Sequence, residues 1–208
     1  MSQLNQIKLQ NEVFCPSKIV CVGRNYVEHI VELGNEVPQQ PVIFCKPNTA
    51  ISEDLYLDSY DDIHYEAELS FLVKENNICA VALGLDLTKR NLQTKLKAKG
   101  LPWERAKAFD KAAVFSEFVP FENDFENLSF QLFIDGELRQ VANFALMMLK
   151  PLQLLAEINS FMTLLDGDII MTGTPKGVGK IKAGSTFSGK LFRGDVLLLD
   201  KEWKVKEL

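Results

Sequence analysis

Glu66 and Glu68, separated by a single residue, are the side chains whose type and spacing most directly suggest chemistry. Two carboxylates at this spacing on one strand face lie roughly 6.6 Å apart, so they either repel each other or close on something positive. A hard divalent cation takes such oxygen ligands. The wet face of an antiparallel strand would carry the same pattern, so the pair alone leaves both readings open. Histidine is scarce, with only two in the chain. His29 stands three residues before Glu32, a helical spacing at which the carboxylate can hold and polarise the imidazole as a general base, or form an ordinary surface pair. His64 shares the polar face of Glu66 and Glu68, where a supporting or structural role suits an imidazole better than ligation of Mg or Ca. Asp86 closes an apolar run, a place for either a ligand or a turn residue. Lys107, hemmed by Ala106, Ala108 and Phe109, is a lysine that can be desolvated and aimed at an anion, or one simply solvated. The run Gly173-Thr174-Pro175-Lys176-Gly177-Val178-Gly179 lacks the order of a nucleotide-binding P-loop. It can still present backbone N–H groups and the Thr174 hydroxyl to an oxyanion or carboxylate.

The elements that must hold these groups are mostly strands. Over residues 63–73 the odd positions Ile63, Tyr65, Ala67, Leu69, Phe71 and Val73 are apolar while His64, Glu66, Glu68 and Ser70 alternate with them, which predicts one strand with a greasy and a polar face. Further strands are expected at 18–22, 41–46, 78–85, 129–134, 168–172 and 195–199, with Asp135-Gly136 as a hairpin turn. Thr88 is placed to cap a helix over 89–99 that ends before Gly100 and Pro102. A second helix is predicted at 151–161. A short third would run over 25–34, opened by Asn25 with Glu28 three residues on and stopped by Gly34. At about nine residues it is marginal alone in water, which suits a lid ordered by ligand.

Composition bounds the possibilities. With 208 residues, 47% of them hydrophobic, the chain can build a substantial core, and no linker, repeat or low-complexity tract divides it, so residues 1–208 are read as one domain. The net charge of -5, from 28 acidic and 23 basic residues in no blocks, speaks against nucleic-acid and membrane surfaces and for small molecules, metal ions and further copies of the chain as partners. Cys15, Cys21, Cys45 and Cys79 form no CxxC pair and lie in apolar segments, which reads as reduced core thiols of a cytoplasmic protein. The polar stretch 1–10 and the lack of an apolar run near 18 residues give no sign of export or of a membrane span.

The order of these motifs resembles the fumarylacetoacetate hydrolase family, in particular its short acylpyruvase and oxaloacetate decarboxylase branch. The resemblance runs through Val22-Gly23-Arg24-Asn25-Tyr26 with His29 and Glu32, Phe44-Cys45-Lys46-Pro47, Glu66-Ala67-Glu68-Leu69, and Asp86 with Thr88, Arg90 and Gln93. It continues through Trp103, Ala106-Lys107-Ala108-Phe109-Asp110, Arg139-Gln140 and Gly167-Asp168 to the Gly173–Gly179 run, covering about residues 18–199. Lys89, Asn91, the stretch 111–114 and the segment 141–149 depart from the usual pattern without removing a ligand or a base.

The resemblance implies a strand-rich α+β fold, the mixed β-sandwich roll of this family's C-terminal domain, and a homodimer. It implies Glu66, Glu68 and Asp86 as ligands of Mg or Mn, His29 with Glu32 as the water-activating pair on a mobile segment, and Lys107 as a stabiliser of developing negative charge. Arg24, Gln93 and Thr174 are implied to meet the substrate. The activity implied is metal-dependent cleavage of a carbon–carbon bond in a small 2-oxo acid: hydrolysis of an acylpyruvate to pyruvate and a carboxylate, decarboxylation of oxaloacetate, or both. Both reactions pass through the enolate of pyruvate. A hydroxymuconate-type decarboxylase, isomerase or hydratase on the same scaffold is the alternative. A non-catalytic metal-binding protein is the reading from another class, against which the retention of His29, Glu32, Gln93 and Lys107 speaks.

Overall fold

The structure is a computed structural model that describes residues 4–27, 40–58, 62–122 and 124–207. Its centre is a hairpin of two long strands, β5 (Ala67–Lys74) and β6 (Asn77–Asp86), joined by Glu75 and Asn76, both at positive φ as a two-residue hairpin turn requires. Both strands are buried on both faces, which is why residues 78–85 read as a continuous apolar run. Around the hairpin an eight-stranded mixed sheet runs in the order β2 (Val42–Pro47), β1 (Lys18–Gly23), β11 (Ile169–Met171), β5, β6, β8 (Ala113–Phe115) and β3 (Ile51–Ser52), with Val119–Pro120 also pairing to β6. A four-stranded antiparallel sheet, β10 (Glu137–Asn143), β9 (Leu128–Ile134), β13 (Thr186–Arg193) and β14 (Val196–Lys204), packs against it. Close approach of the two sheets requires Gly189, since a Cβ there would stand 2.2 Å from Leu83 Cδ2. Tyr65 and Phe187 meet edge to face at 5.2 Å across the same seam.

The expected strand over 63–73 is in fact two. β4 (Ile63–Tyr65) pairs with β7 (Thr88–Lys89) and β12 (Gly179–Lys180), whereas β5 pairs with β6 and β11, and the change of partners falls at Glu66. Helix α1 (Arg90–Ala98) stands close to its predicted span and is followed by Gly100 at φ +62. Its N-cap is Lys89, not Thr88, which is spent on the β7 pairing and on Lys107. A one-turn helix, α2 (Glu104–Lys107), then returns the chain toward β5, and α3 (Pro151–Asn159) buries Leu154, Leu155 and Ile158. Cys15 is exposed, contrary to the expectation of a core thiol, while all four cysteines are free. Among the described residues no helix is long and apolar enough to cross a membrane.

Candidate active site

The switch of partners at Glu66 builds the site. Asp86, the last residue of β6, donates its N–H to Glu66 O at 2.8 Å, so the end of β6 lies beside the two glutamates. One oxygen from each of Glu66, Glu68 and Asp86 falls within 4.8 Å of the others, and the residues are only 7%, 2% and 1% exposed. These values dispose of the wet-face reading, because three carboxylates are not buried together without cations to meet them.

The cations come from the elements that flank β5 and β6. Lys107, from α2, donates to Glu66 Oε2 at 2.8 Å, Asp86 Oδ2 at 2.6 Å and Thr88 Oγ1 at 2.6 Å, which uses all three of its protons. Burial alone would lower its pKa, but Asp86 and Glu66 outweigh burial and hold it above the ordinary lysine value, so it is a fixed positive charge. Lys46, fully buried in β2, lies 2.8 Å from Asp86 Oδ1 and donates to the carbonyls of Leu87 and Lys107. Arg90 pairs with Glu66 Oε1 at 2.5 Å and donates to Gln93 Oε1 at 2.9 Å, which leaves the amide NH2 of Gln93 as its donor end.

None of these cations touches Glu68. Among the described residues its carboxylate receives one hydrogen bond, from Gly173 N–H at 2.8 Å, and its pKa is raised by burial and by Asp86 and Glu66. A buried acid so placed has room in its electrostatics for one more cation, and three convergent carboxylate oxygens are the donor set of a hard divalent metal. The residues therefore fit a divalent-metal site of the kind that the family resemblance implies.

Above the carboxylates opens a cleft of roughly 430 Å3, open solvent at its mouth included, whose walls hold Arg24, Gln93, Lys97, Trp103 and Thr174. The structure thus brings together Arg24, Glu66, Glu68, Asp86, Gln93, Lys107 and Thr174. His29 and Glu32, and with them most of the expected lid over 25–34, lie outside the described residues. His64 stands apart from the three carboxylates, 3.5 Å from Asp62 Oδ2, with its pKa lowered by burial and by Arg90.

Two polar groups do other work than the sequence suggests. Asn25 Oδ1 accepts from Leu149 N–H and its Nδ2 donates to Leu149 O and Thr172 O, so the side chain ties Asn25 to Leu149 and to the residue just past β11. The Thr174 hydroxyl donates to Ala67 O at 2.8 Å and accepts from Gln140 Nε2 at 2.9 Å, so its proton is already committed. Arg24 holds a left-handed backbone, φ 60, at the lip of the cleft, a conformation that costs a non-glycine residue about 1 to 3 kcal/mol and recurs at functional sites.

Sequence reasoning had assigned no role to Lys46, Arg90 or Gln140; their only signal was their place in the matching motifs. Gln140 belongs to the second sheet and is almost completely buried. Its Oε1 accepts from Ala67 N–H, between the two glutamates, while Nε2 holds the Thr174 hydroxyl and Pro175 O. Gln140→Leu strands these buried groups and is expected to lower stability by about 1 to 3 kcal/mol. Denaturant unfolding checks this; a change below about 0.5 kcal/mol, the scale of ordinary surface substitutions, would show that water replaces the brace.

A curled mixed sheet backed by a second sheet, with Glu66 at the break before β5, Glu68 on β5 and Asp86 at the end of β6 beneath a cleft, is the setting of an enzyme active site. Residues 18–200 match the fumarylacetoacetate (FAA) hydrolase C-terminal family, and the chain belongs to it. It is 40% identical to oxaloacetate tautomerase YcgM of Escherichia coli, with 83% of this chain and 89% of that protein covered. It is 37% identical to the mitochondrial oxaloacetate decarboxylase of Dictyostelium discoideum, over 80% of this chain and 85% of that one. The crystal structure of fumarylpyruvate hydrolase from Pseudomonas aeruginosa, in complex with Mn2+ and pyruvate, superposes with a TM-score of 0.87 at 27% identity, covering 100% of this chain and 97% of that one.

Proposed function

We propose that this chain is an enzyme acting on a small 2-oxo acid through its enolate, by carbon–carbon cleavage of an acylpyruvate, by decarboxylation of oxaloacetate, or by both. The observation that carries the proposal is the buried trio Glu66, Glu68 and Asp86, in which Glu68 has no cation partner among the described residues, at the floor of a cleft lined by donors. Glu66, Glu68 and Asp86 would hold Mg or Mn. Such a cation supplies polarisation of the 2-oxo group and its carboxylate when bound. Lys107 adds a positive charge that burial strengthens and its carboxylate partners hold in place. Gln93 and Arg24 offer N–H donors to the substrate, and the Thr174 loop offers its backbone. His29, held by Glu32, would take a proton from the water that attacks the acyl carbonyl; decarboxylation needs no such step. The proposal includes a homodimer and a cytoplasmic location. The exposed Leu138, Val141 and Leu197 of the four-stranded sheet support the former.

The relatives named as oxaloacetate tautomerases favour a second reaction at the same site, keto–enol interconversion through the enolate of oxaloacetate itself, in which a proton leaves C3 and one is added to the 2-oxo oxygen with no carbon–carbon bond broken. One assay separates these outcomes. Purified protein with Mg or Mn is offered acetylpyruvate, fumarylpyruvate and oxaloacetate while pyruvate release and enol absorbance are followed together. Pyruvate from any substrate supports cleavage, a change in enol absorbance without pyruvate supports tautomerisation, and neither overturns the proposal. His29→Ala is expected to lower acylpyruvate hydrolysis by about 100-fold or more, the scale of losing a general base, and to lower oxaloacetate decarboxylation far less. Equal losses would assign His29 to binding or structure instead.

A further inference from the structure

We infer that Lys97 recognises a second carboxylate on the substrate, at the end remote from the 2-oxo acid, and so selects dianions such as oxaloacetate over acylpyruvates that end in an alkyl group. The inference rests on the cleft being the substrate site proposed above. Arg90, Gln93 and Lys97 follow one another at spacings of three and four residues, so helix α1 turns all three toward the same cleft. The first two are bonded to each other and, through Arg90, to Glu66 at the deep end. Lys97 is one turn farther out. Its Nζ sits over the Trp103 ring, 4.7 Å from the centroid, and among the described residues it has no carboxylate partner.

That arrangement contrasts with the rest of the site, where Lys46, Arg90 and Lys107 are each joined to Glu66 or Asp86. The charges around Lys97 are mainly like its own. Burial first, then Arg24 and Arg90, hold its pKa down to about 8, with Glu66 acting in the opposite sense and Lys107 adding to the depression. A half-buried ammonium among cations is relieved by an incoming anion. Among the described residues none supplies that anion, so it comes with the ligand. With the 2-oxo acid end taken by the carboxylate floor and its donors, what reaches Lys97 is the far end of the substrate. A carboxylate there gains a charge-assisted hydrogen bond and a methyl group gains nothing.

The test compares Lys97→Met and Lys97→Arg with the unaltered protein on oxaloacetate and on acetylpyruvate, with Mg present. Lys97→Met is expected to lower kcat/KM for oxaloacetate about 10- to 100-fold, mostly through KM, with a far smaller effect on acetylpyruvate, and Lys97→Arg to restore oxaloacetate. A pH series adds an independent readout. Lys97 is charged below about pH 8 and neutral above it, so KM for oxaloacetate should rise through that region in the unaltered protein and stay flat in Lys97→Arg. Of the other described groups facing Lys97, Arg24 and Arg90 are arginines, whose guanidinium does not deprotonate in proteins, Lys107 is held charged by its carboxylates, and Glu66 is paired with Arg90 and Lys107. Equal losses on both substrates, or a pH step that survives in Lys97→Arg, would overturn the assignment while leaving the proposed function standing. Turnover of neither substrate by the unaltered protein would overturn both.

Discussion

Glu68→Gln is expected to lower affinity for Mg and Mn by at least about 100-fold, more than the loss typical of a residue behind a ligand, and to leave the metal-free protein as stable as before or more so. The two effects separate because, among the described residues, Glu68 is the one carboxylate of the trio that no cation touches. It is 2% exposed, accepts a single N–H from Gly173, and faces Asp86 and Glu66. Burial and those two neighbours raise its folded pKa. An acid whose pKa rises on folding stabilises the fold at pH below its unfolded value and loses that contribution as pH climbs. At neutral pH, then, an ionised Glu68 weakens the metal-free fold. Glutamine has the same shape and can still accept from Gly173, but it carries no charge to bury and is a poor ligand for a hard cation. Glu66→Gln should behave differently, since it also removes the partner of Arg90 and Lys107 and must destabilise. Calorimetric titration with each metal and thermal unfolding without metal check both halves. Unchanged affinity would sink the metal assignment, and a large loss of metal-free stability would make Glu68 a structural anchor.

Lys107→Met is expected to cost about 3 to 5 kcal/mol of stability, the scale for removing one partner from a buried ion pair. All three Lys107 protons are spent, on Glu66, Asp86 and Thr88, and the side chain is almost fully buried with its Nζ 5.1 Å from the Phe44 ring centroid. Methionine fills the space but leaves Glu66 and Asp86 facing each other across it, with Arg90 and Lys46 as their remaining cations. Turnover should fall with stability, since the same ammonium supplies the positive charge at the cleft floor. Pairing the change with Glu66→Gln should give a double variant less destabilised than the sum of its parts, because the carboxylate left stranded by the first change is neutralised by the second. Additive losses, or a cost below about 1 kcal/mol for Lys107→Met, the range of a solvated surface pair, would show that the cluster contributes little.

The order of motifs along the whole chain singled out Glu66, Glu68 and Asp86, which the structure brings together. The sequence by itself also determined the strand-rich α+β class, the α1 and α3 helices to within two residues at each end and the Asp135-Gly136 hairpin. Those features are local. Period-two alternation, the proline at the start of α3, the glycine after α1 and a two-residue turn each act within a few residues of themselves, so their signals survive in the linear chain. Tertiary structure alone decided the rest. The strand over 63–73 breaks at Glu66 because it changes partners there, from β7 and β12 to β6 and β11, and nothing in its own alternation records which strands lie beside it. Thr88 reads as a cap because a hydroxyl before a helical run usually is one. It is instead an acceptor for Lys107, nineteen residues away, which only the return of α2 brings into reach. Gln140 had no signal beyond its place in the matching motifs, and only the second sheet sets its amide between Ala67 and Thr174. Charge pairing in the buried cluster follows the same rule: which cation meets which carboxylate, and that Glu68 meets none among the described residues, depends on distances of a few ångströms between segments far apart in the chain, where Coulomb energies change steeply and sequence carries no measure of distance.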